Sequence, residues 1–152
     1  MRCSSGSERA VAQLVRTICT QMCRCAVSVA GISDLRRFVE WEGDEYTTLD
    51  RSSVRYLGRF LGVADPRDPA LDAISPIRHL DAVHIPVLLI HGQDDTVVPY
   101  EQSTLMRDAL SRAGKSVQLV TLAHEDHGLS RSQTRLQMLQ ASVRSLREHN
   151  PP

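Results

Sequence analysis

Apolar positions in this chain alternate between short continuous runs and helical stripes. Ala26-Val27-Ser28-Val29-Ala30 reads as a short buried strand that ends at Gly31. Residues 34–62 follow with helical character. Val54, Leu57, Phe60 and Leu61 share one face, and Gly43-Asp44 marks a turn between two pieces. Asp65-Pro66-Arg67-Asp68-Pro69 breaks any helix, because proline disfavours helical geometry in the residue before it. Pro86 then opens Val87-Leu88-Leu89-Ile90-His91-Gly92, a run of the kind that suits a strand buried on both faces. Residues 101–113 predict an amphipathic helix. Leu105, Met106, Ala109, Leu110 and Ala113 lie on one side, and Gly114 stands at the C-cap position. Val117 to Leu122 is another β-rich run. Ser130-Arg131-Ser132-Gln133 resembles a capping box. It opens a helix with Leu136, Leu139, Val143 and Leu146 facing inward, ended by Asn150-Pro151-Pro152.

The order is therefore strand, helical excursion, strand, helix, strand, helix. That alternation predicts an α/β fold with a parallel sheet and crossover connections. The length, 152 residues, fits one domain, and neither repeats nor low-complexity tracts interrupt it. Aromatic residues make up 4%, so the core is aliphatic. Lysine plus arginine and aspartate plus glutamate both number 18, which lacks the basic excess of a nucleic-acid binder. No apolar run approaches the ~20 residues of a membrane span. The opening MRCSSGSERAVAQ has no apolar block of the secretory kind, which leaves localisation open with the cytoplasm as default. Cys3, Cys19, Cys23 and Cys25 all fall in the first 25 residues. They read as free thiols. A disulfide framework would be spread along the chain, and Cys23-Arg24-Cys25 leaves a single residue between would-be zinc ligands.

Two stretches carry candidate chemistry. His91-Gly92-Gln93-Asp94-Asp95-Thr96-Val97-Val98-Pro99 follows one predicted strand, and His124-Glu125-Asp126-His127-Gly128 follows the next. Open α/β sheets build their sites at these strand ends. An acid on one loop can accept an imidazole N–H from the other and fix its tautomer. The second ring nitrogen is then a base toward a nucleophile. Asp94 and Asp95 both fit the acid by position. His91, Asp94, Asp95, His124, Asp126 and His127 also include ligand types for zinc or a di-metal site. His124-x-x-His127 on a loop, however, is not the i, i+4 helical pair of a zinc peptidase, so no metal or other cofactor is expected.

PVLLIHGQDDTVVPYEQS, LVTLAHEDHGL, the upstream AVSVAGISDL and SPIRHLDAVHIPVLLIHG together resemble the C-terminal part of the catalytic domain of the prolyl oligopeptidase family. These are serine peptidases related to dipeptidyl and acylaminoacyl peptidases. The resemblance covers about residues 25–150. It implies the C-terminal portion of an α/β-hydrolase, about three parallel strands with flanking helices. It also implies proteolysis of peptide substrates by a triad in the chain order Ser, Asp, His. Carried over by position, the acid is Asp95, ahead of Thr96 and four before Pro99, and the histidine is His127. Asp94 then shapes the turn, and His91 and His124 are structural. The 34–62 segment is read as packing, although Trp41, Tyr46 and Tyr56 stand where an excursion near the site could meet substrate.

The chain departs from the family pattern in one respect. The nucleophile signature G-x-S-x-G occurs nowhere in it. Ser4, Ser5 and Ser7 lie about where it is expected, without the flanking glycines or a preceding strand. The expectation is a fragment that carries the Asp and His of the triad and is inactive alone. Residues 1–24 form an unmatched segment, poorly ordered or helical, read from another frame or from a misassigned start. Residues 25–152 form a partial peptidase domain, and a partner chain could cover the open edge of its first strand. Two alternatives stand beside this. One is a non-enzymatic remnant or a subunit that completes a partner. The other is an esterase- or lipase-like α/β-hydrolase.

Overall fold

The structure is a computed structural model and describes residues 23–45, 52–63, 65 and 67–151. Strands β1 (Ala26–Val29), β2 (Val87–Gly92) and β3 (Val117–Leu122) form one parallel sheet in the order β1-β2-β3. Ala26 lies opposite Val87, and Val87 opposite Val117, so the strands run in step. β1 stops one residue short of expectation because Ala30 turns to φ 49°. The helices are α1 (Leu35–Glu45), α2 (Ser52–Leu61), α3 (Pro69–Ile74), α4 (Glu101–Arg112) and α5 (Ser132–His149). Single 3-10 turns at Pro76–Arg78 and Leu80–Ala82 lead into β2.

β2 is buried along its whole length. Successive strand residues point to opposite faces, so its run of apolar residues feeds two cores. Val87 and Leu89 pack with Val83 and Leu110, joined by Met106 of α4 and by Val117 and Leu119 of β3. Leu88 and Ile90 pack on the other face with Leu122, joined by Val27, Val120, Leu129 and Met138 and Ala141 of α5. A third cluster, Leu35, Val39, Val63 and Leu71, holds the helical excursion together. By the same alternation His91 falls on the α4 face and Gly92 on the α5 face.

The excursion differs from the pattern-based expectation in two places. No turn forms at Gly43-Asp44, since α1 runs on to Glu45. A glycine inside a helix costs only about 1 kcal/mol against alanine, which the anchoring of Phe38 and Val39 in the interior outweighs. The Asp65–Pro69 break is also a helix start. Pro69 takes the first helical position of α3, and the Asp68 carboxylate accepts the Ala70 N–H at 2.9 Å. The side chains of Val54 and Leu57, and Tyr46, lie outside the described residues. Trp41 stacks on Phe38 with ring centroids 6.1 Å apart, and Tyr56 is exposed.

α4 ends as its composition predicts. Gly114 adopts φ 69°, and the Lys115 N–H returns to the Leu110 carbonyl at 2.9 Å. Ala113 lies just past the helix end and is exposed.

α5 corrects the sequence reading twice. Ser130 does not cap it; its hydroxyl is 2.6 Å from Asp126 instead. The helix begins at Ser132 with no side-chain cap from Arg131. Its first turn is held by the buried Glu125, whose carboxylate accepts the Arg131 N–H and pairs with the Thr134 hydroxyl. That anchor sets the helix's rotation. Thr134, Met138 and Ala141 turn toward the sheet. Leu136, Leu139, Val143 and Leu146, expected inside, are between 44% and 54% exposed. Both stripes have helical spacing, and the one that starts at Thr134 is the one packed on the sheet.

Candidate functional site

The loops after β2 and β3 lie side by side at the C-terminal end of the sheet. Backbone bonds clasp them. The Gln93 N–H donates to the Leu122 carbonyl and the Asp94 N–H to the Glu125 carbonyl, each at 3.0 Å. Gly92 permits this approach, because a Cβ there would run onto the Glu125 carbonyl oxygen. The hydroxyls of Tyr100 and Thr121 meet at 2.5 Å and add a side-chain link. The β3 loop turns through His124 at φ 56°, a region that histidine enters more readily than most residues.

This clasp brings Asp95 and His127 together. The Asp95 side chain is fully buried. Its Oδ1 accepts the N–H groups of Val97 and Val98, both at 2.9 Å, which locks the carboxylate against its own turn. Its Oδ2 lies 2.9 Å from His127 Nδ1. With the acid ionised, that nitrogen carries the hydrogen and Nε2 is left bare. The His127 side chain is 40% exposed, and among the described residues no hydrogen bond occupies its Nε2. Burial pushes the Asp95 carboxyl up. The bonds from Val98, His127 and Val97 outweigh burial and hold it below the usual carboxylate range. The pair therefore combines an ionised, fixed acid with an oriented imidazole whose second nitrogen is reachable.

The remaining candidates separate. Asp94 is exposed and sits 3.7 Å from His124, itself exposed. The Asp126 carboxylate accepts from both the N–H and the hydroxyl of Ser130 and makes no hydrogen bond with Asp95 or His127. Among the described residues no three His, Cys, Asp or Glu side chains gather as a metal shell requires. Cys23 and Cys25 are half-buried beside β1, and Cys3 and Cys19 lie outside the described residues.

Two residues tied into the site had partners the sequence did not reveal: His91, read there only as structural, and Glu125, not singled out. His91 is fully buried, with Nδ1 2.7 Å from Ser103 Oγ and Nε2 2.9 Å from the Val98 carbonyl. Its Nε2 is also 3.3 Å from Asp95 Oδ2. The available signal was a polar ring inside a fully buried strand, which has to find partners. Glu125 is the second. It was passed over between two histidines, yet it is the buried strut that ties the His127 loop to α5. A charged residue three positions after a strand gives no sign of that role until the helix start is placed over it.

Known proteins share the family and the fold of this chain. In Bacillus subtilis (strain 168), the uncharacterized peptidase YuxL is 36% identical over 58 residues, which are 38% of this chain and 9% of that protein. A puromycin-hydrolyzing peptidase of Mycobacterium tuberculosis superposes with a TM-score of 0.77 at 31% identity, over 91% of this chain and 20% of that one. The acylaminoacyl peptidase of Pyrococcus horikoshii shares the fold, with a TM-score of 0.67 at 21% identity over 91% of this chain and 20% of its own. The chain thus spans about a fifth or less of the length of these relatives. The sequence model of the prolyl oligopeptidase family matches residues 12–149, and the chain belongs to that family.

Proposed function

We propose that this chain supplies the acid and the general base of a serine peptidase centre, Asp95 and His127. The observation that carries the proposal is the buried Asp95 carboxylate, gripped by two backbone N–H groups and 2.9 Å from His127 Nδ1. In such a centre His127 Nε2 takes the proton of a serine hydroxyl as it attacks the peptide carbonyl. It then returns the proton to the leaving amine. Asp95 stays ionised, keeps the Nδ1–H tautomer and stabilises the imidazolium. The G-x-S-x-G turn is absent from the 152 residues, so the proposal takes the nucleophile and the oxyanion-hole donors from polypeptide outside them. The outer edge of β1, unpaired among the described residues, is where further strands would join.

The test is a chimera. Residues 25–150 replace the corresponding segment of the Mycobacterium tuberculosis puromycin-hydrolyzing peptidase, and cleavage of puromycin and of aminoacyl anilides is followed. The chimera is expected to hydrolyse both. Asp95→Asn is expected to lower kcat by about 10⁴-fold, because an amide stabilises the wrong tautomer. His127→Ala is expected to fall at least as far, and Asp94→Asn to stay near the parent. A folded chimera in which Asp94→Asn is the damaging change, or in which neither Asp95 nor His127 matters, overturns the assignment. Cleavage of simple acyl esters but not of anilides would move the substrate class to esters.

A further inference from the structure

We propose that His91 is a positioning residue for the acid, an imidazole with its hydrogen on Nε2 that braces the Asp95 turn from behind. The inference rests on Asp95 and His127 being the acid and base. The Val98 carbonyl can only accept, so His91 Nε2, 2.9 Å away, carries the hydrogen. Nδ1 then accepts from the Ser103 hydroxyl at 2.7 Å. Both ring nitrogens are thus spoken for by fixed partners, and Tyr100 meets the ring edge-on with centroids 5.7 Å apart. The result is one continuous chain of polar contacts. Ser103 on α4 orients His91, and His91 holds the Val98 carbonyl. The N–H of that same residue grips Asp95 Oδ1. The opposite oxygen, Oδ2, sits between two imidazoles, 2.9 Å from His127 Nδ1 and 3.3 Å from His91 Nε2.

The brace limits how the carboxylate can move. Rotation about its Cβ–Cγ bond would pull Oδ1 from two N–H groups and carry Oδ2 away from both rings. A carboxylate fixed in this way keeps the His127 hydrogen bond linear, which is what a triad acid contributes. Burial also pushes the His91 imidazole below its ordinary titration range, more strongly than the Val98 carbonyl and Asp95 raise it. The groups facing it are Asp95, His127, Tyr100 and Ser103, so Asp95 is the single anion among them.

The experiment uses the 152-residue chain labelled with ¹⁵N-histidine, read by NMR. At neutral pH His91 is expected to show a protonated Nε2 and a bare Nδ1. His127 is expected to show a downfield, slowly exchanging Nδ1–H. His91→Gln keeps an N–H near the Nε2 position and is expected to retain that resonance. His91→Asn places its N–H near Nδ1 instead, and is expected to make the His127 proton exchange about tenfold faster or more, the scale of one lost hydrogen bond. Ser103→Ala removes only the partner of Nδ1 and is expected to leave the hydrogen on Nε2, facing the Val98 carbonyl, while it frees the ring to move and speeds exchange of the His127 proton. It carries the test should the His91 variants not fold. A His91 found with its hydrogen on Nδ1, or a His127 proton indifferent to His91→Asn and Ser103→Ala, overturns the proposal. Absence of the downfield His127 resonance in the unsubstituted chain would instead overturn the pairing of Asp95 with His127, on which it rests.

Discussion

Gln102→Leu isolates how the helical excursion is fastened to the sheet. Gln102 on α4 is 1% exposed. Its Oε1 accepts the Ser33 N–H at 3.0 Å and the Asp34 N–H at 2.8 Å. Asp34 is the residue from which α1 starts: its carboxylate accepts the Arg37 N–H at 3.1 Å and its carbonyl the Phe38 N–H at 3.0 Å. Leucine nearly matches glutamine in volume but offers no acceptor. The Ser33 hydroxyl keeps its bond to the Gln102 backbone carbonyl at 2.6 Å, so the loss falls on two buried N–H groups. Each orphaned donor costs about 1–3 kcal/mol, or about 2–6 together. The added apolar burial returns about 1 kcal/mol. A net destabilisation of about 1–5 kcal/mol is expected, a large share of the 5–15 kcal/mol typical of a whole domain. The assay is urea denaturation followed by circular dichroism, with Gln93→Leu on the exposed loop as control. The midpoint is expected to fall with the slope unchanged. A Gln102→Leu protein within about 0.5 kcal/mol of the parent, the scatter of an ordinary surface change, would refute the reasoning.

Two further outcomes follow from the geometry. Acid destabilises the chain in two stages, because stability rises with pH wherever the unfolded state binds more protons. His91 titrates below its ordinary value when folded. Its contribution is complete above the unfolded value of about 6.5 and is lost as pH falls from there through the folded one. Asp95 is also depressed, so its contribution is lost below about pH 3.9, where Asp72 and Asp126, lowered by Arg36 and Ser130, add to the same fall. Urea midpoints measured from pH 8 to pH 3 check this, and His91→Gln is expected to abolish the upper stage alone. On α5, serine at Leu136, Leu139, Val143 or Leu146 is expected to change stability by less than about 0.5 kcal/mol, while Leu122→Ala costs about 2–5. Equal losses at both sets would show that the outer stripe is covered.

How much was legible depended on how local each cause is. The β2 run, the Gly114 cap and the strand-helix order were readable from residue type and spacing, and those elements form where expected. The choice of Asp95 over Asp94 came from family likeness. In the fold it corresponds to one side chain buried against His127 and its neighbour turned to solvent. The face of α5 was misread because two stripes share one period, and contacts outside the helix, with Glu125 and with the core under Met138 and Ala141, distinguish them. His91 gave no clue to its neighbours, since Val98 and Ser103 reach it through a turn whose path periodicity does not contain.

The sequence by itself therefore determined the parallel α/β framework and the identity of the two loops that could hold chemistry. Both follow from hydrophobic burial and from glycine and proline backbone limits, which act over a few residues. Tertiary structure alone decided which polar groups meet. Asp95 is 32 residues from its histidine. Their contact depends on strand register, on the close passage over Gly92 and on the carboxylate of Glu125 at the head of α5. Directional hydrogen bonds between distant segments have no period to betray them, so the partners of His91 and Glu125 became visible only when the chain had closed around them.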